Sequence, residues 1–262
     1  FCELLSEGKS GSFFYFSSCG RYLIKTVPHR EARVLRGLLP SYCEHVEKHP
    51  HMLLPRLLSF HRLRRAGVKV HFVVMANVFS TDRHIDARFD LKGSTIGRLA
   101  NPSLADFDVV RKDRDLVEPF HIGERKCAEL YAQLKRDVGY LREQETLDYS
   151  LLVGVSHPKP DSPISPPLDS GGSDGVLNSS TRGTSPWMDM ADGGIRSAPG
   201  AIGAPAVYYV GIIDILTGWS PSKLGESVAK QLMHPTTPNG VSCVPPSLYA
   251  KRFETKMVEW FV

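Results

Sequence analysis

Asp90-Leu91-Lys92-Gly93-Ser94-Thr95 gathers an acid, a base, a glycine and two hydroxyls into one short run. A carboxylate there can hold a cation, and a lysine can neutralise a phosphate as a compact point charge. The glycine allows backbone to approach a ligand closely. Two further acids stand between apolar neighbours, in Leu147-Asp148-Tyr149-Ser150 and in Ile212-Ile213-Asp214-Ile215. Near the N-terminus, the loop Gly8-Lys9-Ser10-Gly11-Ser12 could wrap phosphates with its backbone N–H groups. It imitates only the tail of a P-loop, because Glu3 stands where that motif needs glycine. Lys25 lies inside an apolar run, either on the solvated face of an edge strand or beneath the loop, where it would reach nucleotide phosphates. Glu31 either complements a helix dipole or orients Lys25 by an ion pair.

These residues need elements to position them. Aromatic and β-branched runs at Phe13–Phe16 and Tyr22–Val27, on either side of Cys19-Gly20, predict a β-hairpin. The spacing of Ala32, Leu35, Leu38 and Leu39 predicts a helix over 29–39, interrupted at Pro40 and followed by a short helix through Tyr42 and Val46. Strands are expected around 53–63 and 68–78, joined by Arg64-Arg65-Ala66-Gly67, with Val73–Val78 apolar but for Asn77. A long helix over 124–142 carries Cys127, Leu130, Tyr131, Leu134, Val138 and Leu141 on one stripe. Lys126, Glu129, Lys135 and Asp137 fall off that stripe. Strands follow at 151–155 and 208–216. Between them, from about 157 to 205, the composition turns to Pro, Gly, Ser, Asp and Ala, which predicts a disordered insertion. Residues 221–234 read as a short amphipathic helix or surface segment, with Leu224, Val228 and Leu232 every fourth residue beside Lys223 and Lys230. Gly225 would cost that helix about 1 kcal/mol against alanine. A last helix is expected over 249–261.

The totals set bounds. A chain of 262 residues with 42% hydrophobic content can bury a sizeable core. A net charge of +4 permits an anionic partner, without the clustered excess expected of a nucleic-acid binder. Five scattered cysteines with no Cys-x-x-Cys pair favour a reduced, intracellular chain. No run of about 18 apolar residues exists to span a bilayer. The chain starts without Met and stops at Trp260-Phe261-Val262, so it reads as a fragment of something longer.

In order, the pieces form a kinase-like plan: a Gly-rich hairpin, a strand lysine, a helix glutamate, an apolar hinge strand, a helix, and two aspartates. Phosphoryl transfer needs such a set because it is mostly positioning and charge neutralisation. His-Arg-Asp and Asp-Phe-Gly are both missing, which excludes an ordinary protein kinase.

The residues resemble the phosphatidylinositol phosphate kinases. That family's Asp-Leu-Lys-Gly-Ser is similar to 90–94 here, its Met-Asp-Tyr-Ser-Leu-Leu to 147–152 with Leu147 replacing Met, and its Gly-Ile-Ile-Asp-Ile-Leu to 211–216. Its Ile-Ile-Lys-Thr resembles 23–26, its Leu-Leu-Pro-Lys 53–56, and its Tyr-x-x-Arg-Phe 249–253. The matches keep their order over nearly the whole chain outside the insertion.

The resemblance implies an α+β, two-lobed kinase-like fold with antiparallel sheets and an ATP cleft between the lobes. The whole of 1–262 would be the catalytic core, cut at its N-terminus, with an activation segment at about 217–246. It implies that Gly8, Ser10, Gly11 and Ser12 cover the phosphates, that Lys25 holds them with Glu31 as its partner, and that Met75 to Asn77 border the adenine. Lys92, with Asp90 beside it, would meet transferred or substrate phosphate. Asp148 would face the inositol hydroxyl, Asp214 would bind Mg²⁺, and Lys223 and Lys230 would serve substrate or membrane. The expected activity is ATP-dependent phosphorylation of phosphatidylinositol 4-phosphate at the 5-hydroxyl, because 90–100 and Gly193-Gly194-Ile195 look most like the type I enzymes. Where type I activation segments carry Lys-Lys, this chain has Ser222-Lys223. That leaves a 5-phosphate or 3-phosphate substrate, or a weakly catalytic phosphoinositide-binding scaffold, as alternatives. The expected setting is the cytosolic face of a membrane, the plasma membrane first, with no nucleic-acid partner.

Overall fold

The computed structural model describes residues 2–5, 12–100, 109–158, 185–201, 205–233 and 240–262. Two five-stranded sheets carry the chain. The first holds β1 (Cys2–Leu5), β2 (Phe13–Phe16), β3 (Tyr22–Val27), β4 (Leu57–Arg65) and β5 (Val68–Ala76), in the order β1-β2-β3-β5-β4. Every pairing in it is antiparallel. The second holds β6 (Ala87–Leu91), β7 (Val110–Arg111), β8 (Ser150–Ser156), β9 (Ile195–Arg196) and β10 (Val207–Ile213), in the order β7-β6-β8-β10-β9. Here β6 and β7 run parallel, so the expectation of wholly antiparallel sheets holds for the first sheet only. The helices are α1 (His29–Lys48), α2 (Glu124–Glu143), α3 (Pro221–Met233) and α4 (Pro246–Trp260). One hydrophobic core runs through both halves, from Leu35 and Val73 to Leu130, Leu151, Tyr249 and Phe253.

α1 is a single helix where the proline predicted two. Pro40 sits inside it on the exposed side, while Ala32, Leu35, Leu38, Tyr42 and His45 continue one buried stripe past it. Arg36, whose carbonyl loses its partner to proline, is also an exposed residue, and burial of the stripe outweighs the local break. On α2 the predicted apolar stripe is buried, but Asp137 is buried with it, at 0% exposure. Its carboxylate accepts from His45 Nε2 at 2.7 Å, from the Leu53 N–H at 2.7 Å and from the Gln133 amide at 3.0 Å. The Leu53 carbonyl in turn accepts the Ile212 N–H at 2.7 Å, so Asp137 ties α1, α2 and the strand leading to Asp214 into one frame. Removing one partner from such a buried set leaves the others unsatisfied. Asp137→Ala is expected to lower unfolding stability by about 3 kcal/mol, read from the shift in the urea midpoint.

The span expected to be disordered is partly built into the fold. Trp187 and Ile195 are buried, and β9 pairs with the start of β10. Low apolar content misleads here because a few large side chains suffice once neighbouring strands supply the other wall. Residues 159–184 and 202–204 of that span lie outside the described residues.

Candidate active site

β8 and β10 are antiparallel partners, with Ser150 opposite Ile213 at the end of the ladder. Asp148 precedes the first of these residues and Asp214 follows the second, so the register delivers both acids to the same edge. Beyond that edge the strands touch again, through the Leu147 N–H to Thr217 O at 3.0 Å and a bridge between Thr146 and Gly218. Both aspartates leave the ladder between these contacts in the left-handed region, at φ 63° and 61°. That conformation is uncommon outside glycine and marks positions the surroundings over-determine. The surroundings are plain: Leu147 and Tyr149 on either side of Asp148 are 0% exposed, as is Ile212 before Asp214. Buried neighbours pin the backbone and aim the carboxylates outward.

Each acid meets a lysine. Lys25 Nζ lies 2.9 Å from Asp214 Oδ1 and over the Phe14 ring at 5.3 Å. Lys92 Nζ donates to Asp148 Oδ1 at 3.0 Å and to the Asp148 carbonyl at 2.8 Å. Lys25 thus pairs with Asp214 and not, as expected, with Glu31. Burial pushes the Glu31 carboxyl above its usual value, Lys25 draws it down, and Asp214 raises it further. Glu31 therefore stands within electrostatic reach of the Lys25–Asp214 pair without forming the ion pair. Burial also opposes the charge on Lys223, but its bond to Glu226 at 2.8 Å, helped by Cys243 and Asp148, holds it above the usual lysine value. Lys223 so belongs to the field around Asp148.

Asp90 is engaged elsewhere. Arg98 Nη2 donates to Asp90 Oδ1 at 2.7 Å, and Arg98 Nε to Asp113 Oδ2 at 2.6 Å. The other oxygen of Asp113 accepts the N–H groups of Lys92 at 2.9 Å and Gly93 at 2.6 Å. Gly93 has φ 70°, and a Cβ there would come within 3.1 Å of Lys256. Asp90, Arg98 and Asp113 form the bracket that presents Lys92; they were not legible as a unit because Asp113 is remote in sequence. Tyr249 and Phe253 of α4 are a second missed support. Both pack on Tyr149, at 4.7 and 5.0 Å between ring centres, and the Tyr249 hydroxyl donates to the Tyr149 carbonyl. Burial first, then the nearby Asp148 charge, push that hydroxyl well above its usual range. The Tyr-x-x-Arg-Phe spacing was the available signal, since it sets Tyr249 and Phe253 one helical turn apart.

At the other end of the first sheet, Met75 pairs with Leu23, two residues from Lys25. The Asn77 amide donates to Gly20 O at 2.8 Å and its oxygen accepts the Phe79 N–H at 3.1 Å, which fixes the exit of β5. Val78 then packs on Gly211, where a Cβ would lie 2.9 Å from a Val78 methyl. Ser12 is buried at the foot of β2. Gly8, Ser10 and Gly11 lie outside the described residues, as does the side chain of Lys230.

Among the described residues no group of three or more His, Cys, Asp or Glu side chains gathers in the manner of a protein metal cage. Mg²⁺ needs no such cage when nucleotide phosphates supply most of its ligands beside one or two carboxylates. Asp214, with its side chain 46% exposed, fits that role. No helix among the described residues is long and apolar enough to cross a membrane.

A family model described as Phosphatidylinositol-4-phosphate 5-Kinase matches residues 1–259. The chain is 36% identical over 279 residues to a phosphatidylinositol 4-phosphate 5-kinase of Plasmodium falciparum, covering 97% of this chain and 15% of that protein. It is 34% identical over 298 residues to a probable phosphatidylinositol phosphate kinase of Dictyostelium discoideum, covering 96% and 41%. With phosphatidylinositol 4-phosphate 5-kinase 6 of Arabidopsis thaliana it shares 33% identity over 294 residues, covering 99% and 41%. The chain therefore spans between 15% and 41% of the length of these curated relatives.

Proposed function

Because the chain belongs to the phosphatidylinositol-4-phosphate 5-kinase family, we propose that it is the catalytic core of an ATP-dependent lipid kinase that phosphorylates phosphatidylinositol 4-phosphate at the 5-hydroxyl. The observation that carries this reading is the convergence of Lys25–Asp214 and Lys92–Asp148 at one end of the β8/β10 ladder. ATP would lie between the two sheets, with Met75 and Asn77 beside the base and Ser12, with Gly8, Ser10 and Gly11, toward the phosphates. Lys25 carries a fixed positive charge to those phosphates, and Glu31 adds a negative charge that helps set its position. Asp214 would hold Mg²⁺, which when bound screens the phosphate charge against the incoming hydroxyl.

Asp148 faces the substrate side. As the inositol oxygen bonds to the γ-phosphorus, the bond to the bridging oxygen of ADP breaks, and Asp148 takes up the hydroxyl proton. Lys92 keeps Asp148 oriented and is placed to meet the transferred group, while the Asp90–Arg98–Asp113 bracket holds the Lys92 turn. Lys223 is positioned to add positive charge facing the headgroup. Substrate of this kind sits in a bilayer, and α3 supports a peripheral approach to one. Leu224, Val228 and Leu232 are 51%, 49% and 76% exposed along that helix, a pattern suited to lying at the headgroup boundary. The corresponding setting is the cytosolic face of a membrane.

The test is incubation of the chain with ATP, Mg²⁺ and vesicles carrying phosphatidylinositol 4-, 5- or 3-phosphate in turn, with the product's phosphate position identified. The expected product is the 4,5-bisphosphate, from the 4-phosphate vesicles. Product from only the 5- or 3-phosphate would reassign the substrate, and vesicle binding without turnover would favour a scaffold.

A further inference from the structure

β4 and β5 meet in a two-residue turn, with Ala66 at φ 48° and Gly67 at φ 82°, as a tight hairpin requires. The register sets Arg64 opposite Lys69, Arg65 opposite Val68, Leu63 opposite Val70 and Arg62 opposite His71. Like charges directly opposed destabilise a sheet. Among the described residues, none of Arg62, Arg64, Arg65 and Lys69 has an ion-pair partner. Beside them Leu63, Val68 and Val70 are 55%, 62% and 38% exposed.

Arginines on an edge strand can serve only to block pairing with other chains. Exposed leucine and valine at the same tip work against that purpose. Cations and apolar side chains together are the pattern that binds anionic bilayers, the charges on headgroups and the apolar groups at the acyl boundary. Strand alternation puts Leu63, Arg65, Val68 and Val70 on one face and Arg62, Arg64 and Lys69 on the other. A tip-first approach brings both sets to one plane. The base of the hairpin also stands near α3. His71 packs against His29 at 5.6 Å between ring centres, and the next residue, Arg30, donates to Ser220 at 3.0 Å, just before α3 begins. The first turn of α1 thus joins the two exposed apolar elements.

We propose that the β4–β5 hairpin is a second membrane-contact element that docks tip-first on an anionic bilayer, alongside α3. The proposal rests on the lipid-kinase reading for its purpose, but the test does not. Sedimentation with phosphatidylcholine vesicles, with and without phosphatidylserine, contains no kinase substrate. The triple variant Arg62→Gln/Arg64→Gln/Arg65→Gln is expected to lose about fivefold in affinity for serine-containing vesicles per arginine, roughly 100-fold in all. Leu63→Ser/Val68→Ser, at exposed positions, should weaken binding severalfold while leaving the urea midpoint in place. Both variants should keep the parent's rate on short-chain, dispersed phosphatidylinositol 4-phosphate.

Unchanged vesicle affinity in the triple variant overturns the proposal. So does an equal loss of rate on dispersed lipid, which would assign the arginines to the catalytic body. Weakening by the charge variant alone, with polyglutamate competing as well as vesicles, would make the partner an acidic protein and also overturn it. A parent that binds serine vesicles through this hairpin but phosphorylates nothing would sink the kinase reading and leave the surface standing.

Discussion

Asp214→Asn is expected to cut turnover by roughly 10³-fold while the chain stays folded. The size follows from the proposed role, a preorganised charge acting on the nucleotide phosphates, which is worth about 10²–10³ in rate. The proposed loss of a Mg²⁺ ligand places the effect at the upper end of that range. The substitution is clean because Asp214 sits at φ 61°, a conformation asparagine adopts at least as readily as aspartate. Alanine at the same position would add backbone strain to the loss of charge. The Lys25–Asp214 pair is half open, with 11% and 46% side-chain exposure. Its removal should therefore change stability by no more than about 1 kcal/mol. Lys25→Ala should lose a comparable factor in rate. The measurements are kcat at saturating lipid and the urea midpoint for each variant. A fall in both together would mean that the pair holds the fold and not the nucleotide.

Asp148→Asn is expected to lower kcat by about 10²–10⁴-fold, the range for a positioned general base, with little change in the KM for ATP. The separation comes from geometry. Both acids stand at the same end of the β8/β10 ladder, but Asp148 meets Lys92 at 3.0 Å from its own sheet, whereas Asp214 meets Lys25 from the first sheet. Lys92→Met should reduce kcat and also raise the KM for lipid if the lysine, which bonds to Asp148, also meets phosphate as proposed. If Asp148→Asn raised the KM for ATP as much as Asp214→Asn does, the division of labour between the two acids would be wrong.

The positions that carry these expectations were legible because their local signals agree. An acid between fully apolar neighbours at a strand end has few bland explanations, and both Asp148 and Asp214 were readable that way. The strands themselves followed from β-branched and aromatic runs, and the α2 stripe from its period. What the chain hid were contacts between remote residues. Lys25 reaches an acid 189 residues away, and local spacing offered Glu31 instead, because Glu31 is six positions on and in a helix's first turn. Asp137 falls off the apolar stripe that marks the core. Only the meeting of His45, Gln133 and the Leu53 N–H makes its burial favourable. Pro40 was read as a break because local propensity was weighed without the buried stripe that spans it. Locally, the Asp90 carboxylate reads as one that holds a cation or stands beside Lys92 at a phosphate, yet Arg98 engages it. In each case tertiary packing overrode a correct local rule.

The central claim is that remote acids and bases meet around one magnesium nucleotide, and its most direct test is calorimetric. Titration of the parent with ATP, in the presence and absence of Mg²⁺, should show binding that strengthens with the metal, and Asp214→Asn should lose that dependence while keeping the metal-free affinity. Parent binding that is indifferent to Mg²⁺, or a variant that responds to the metal as the parent does, would contradict the account.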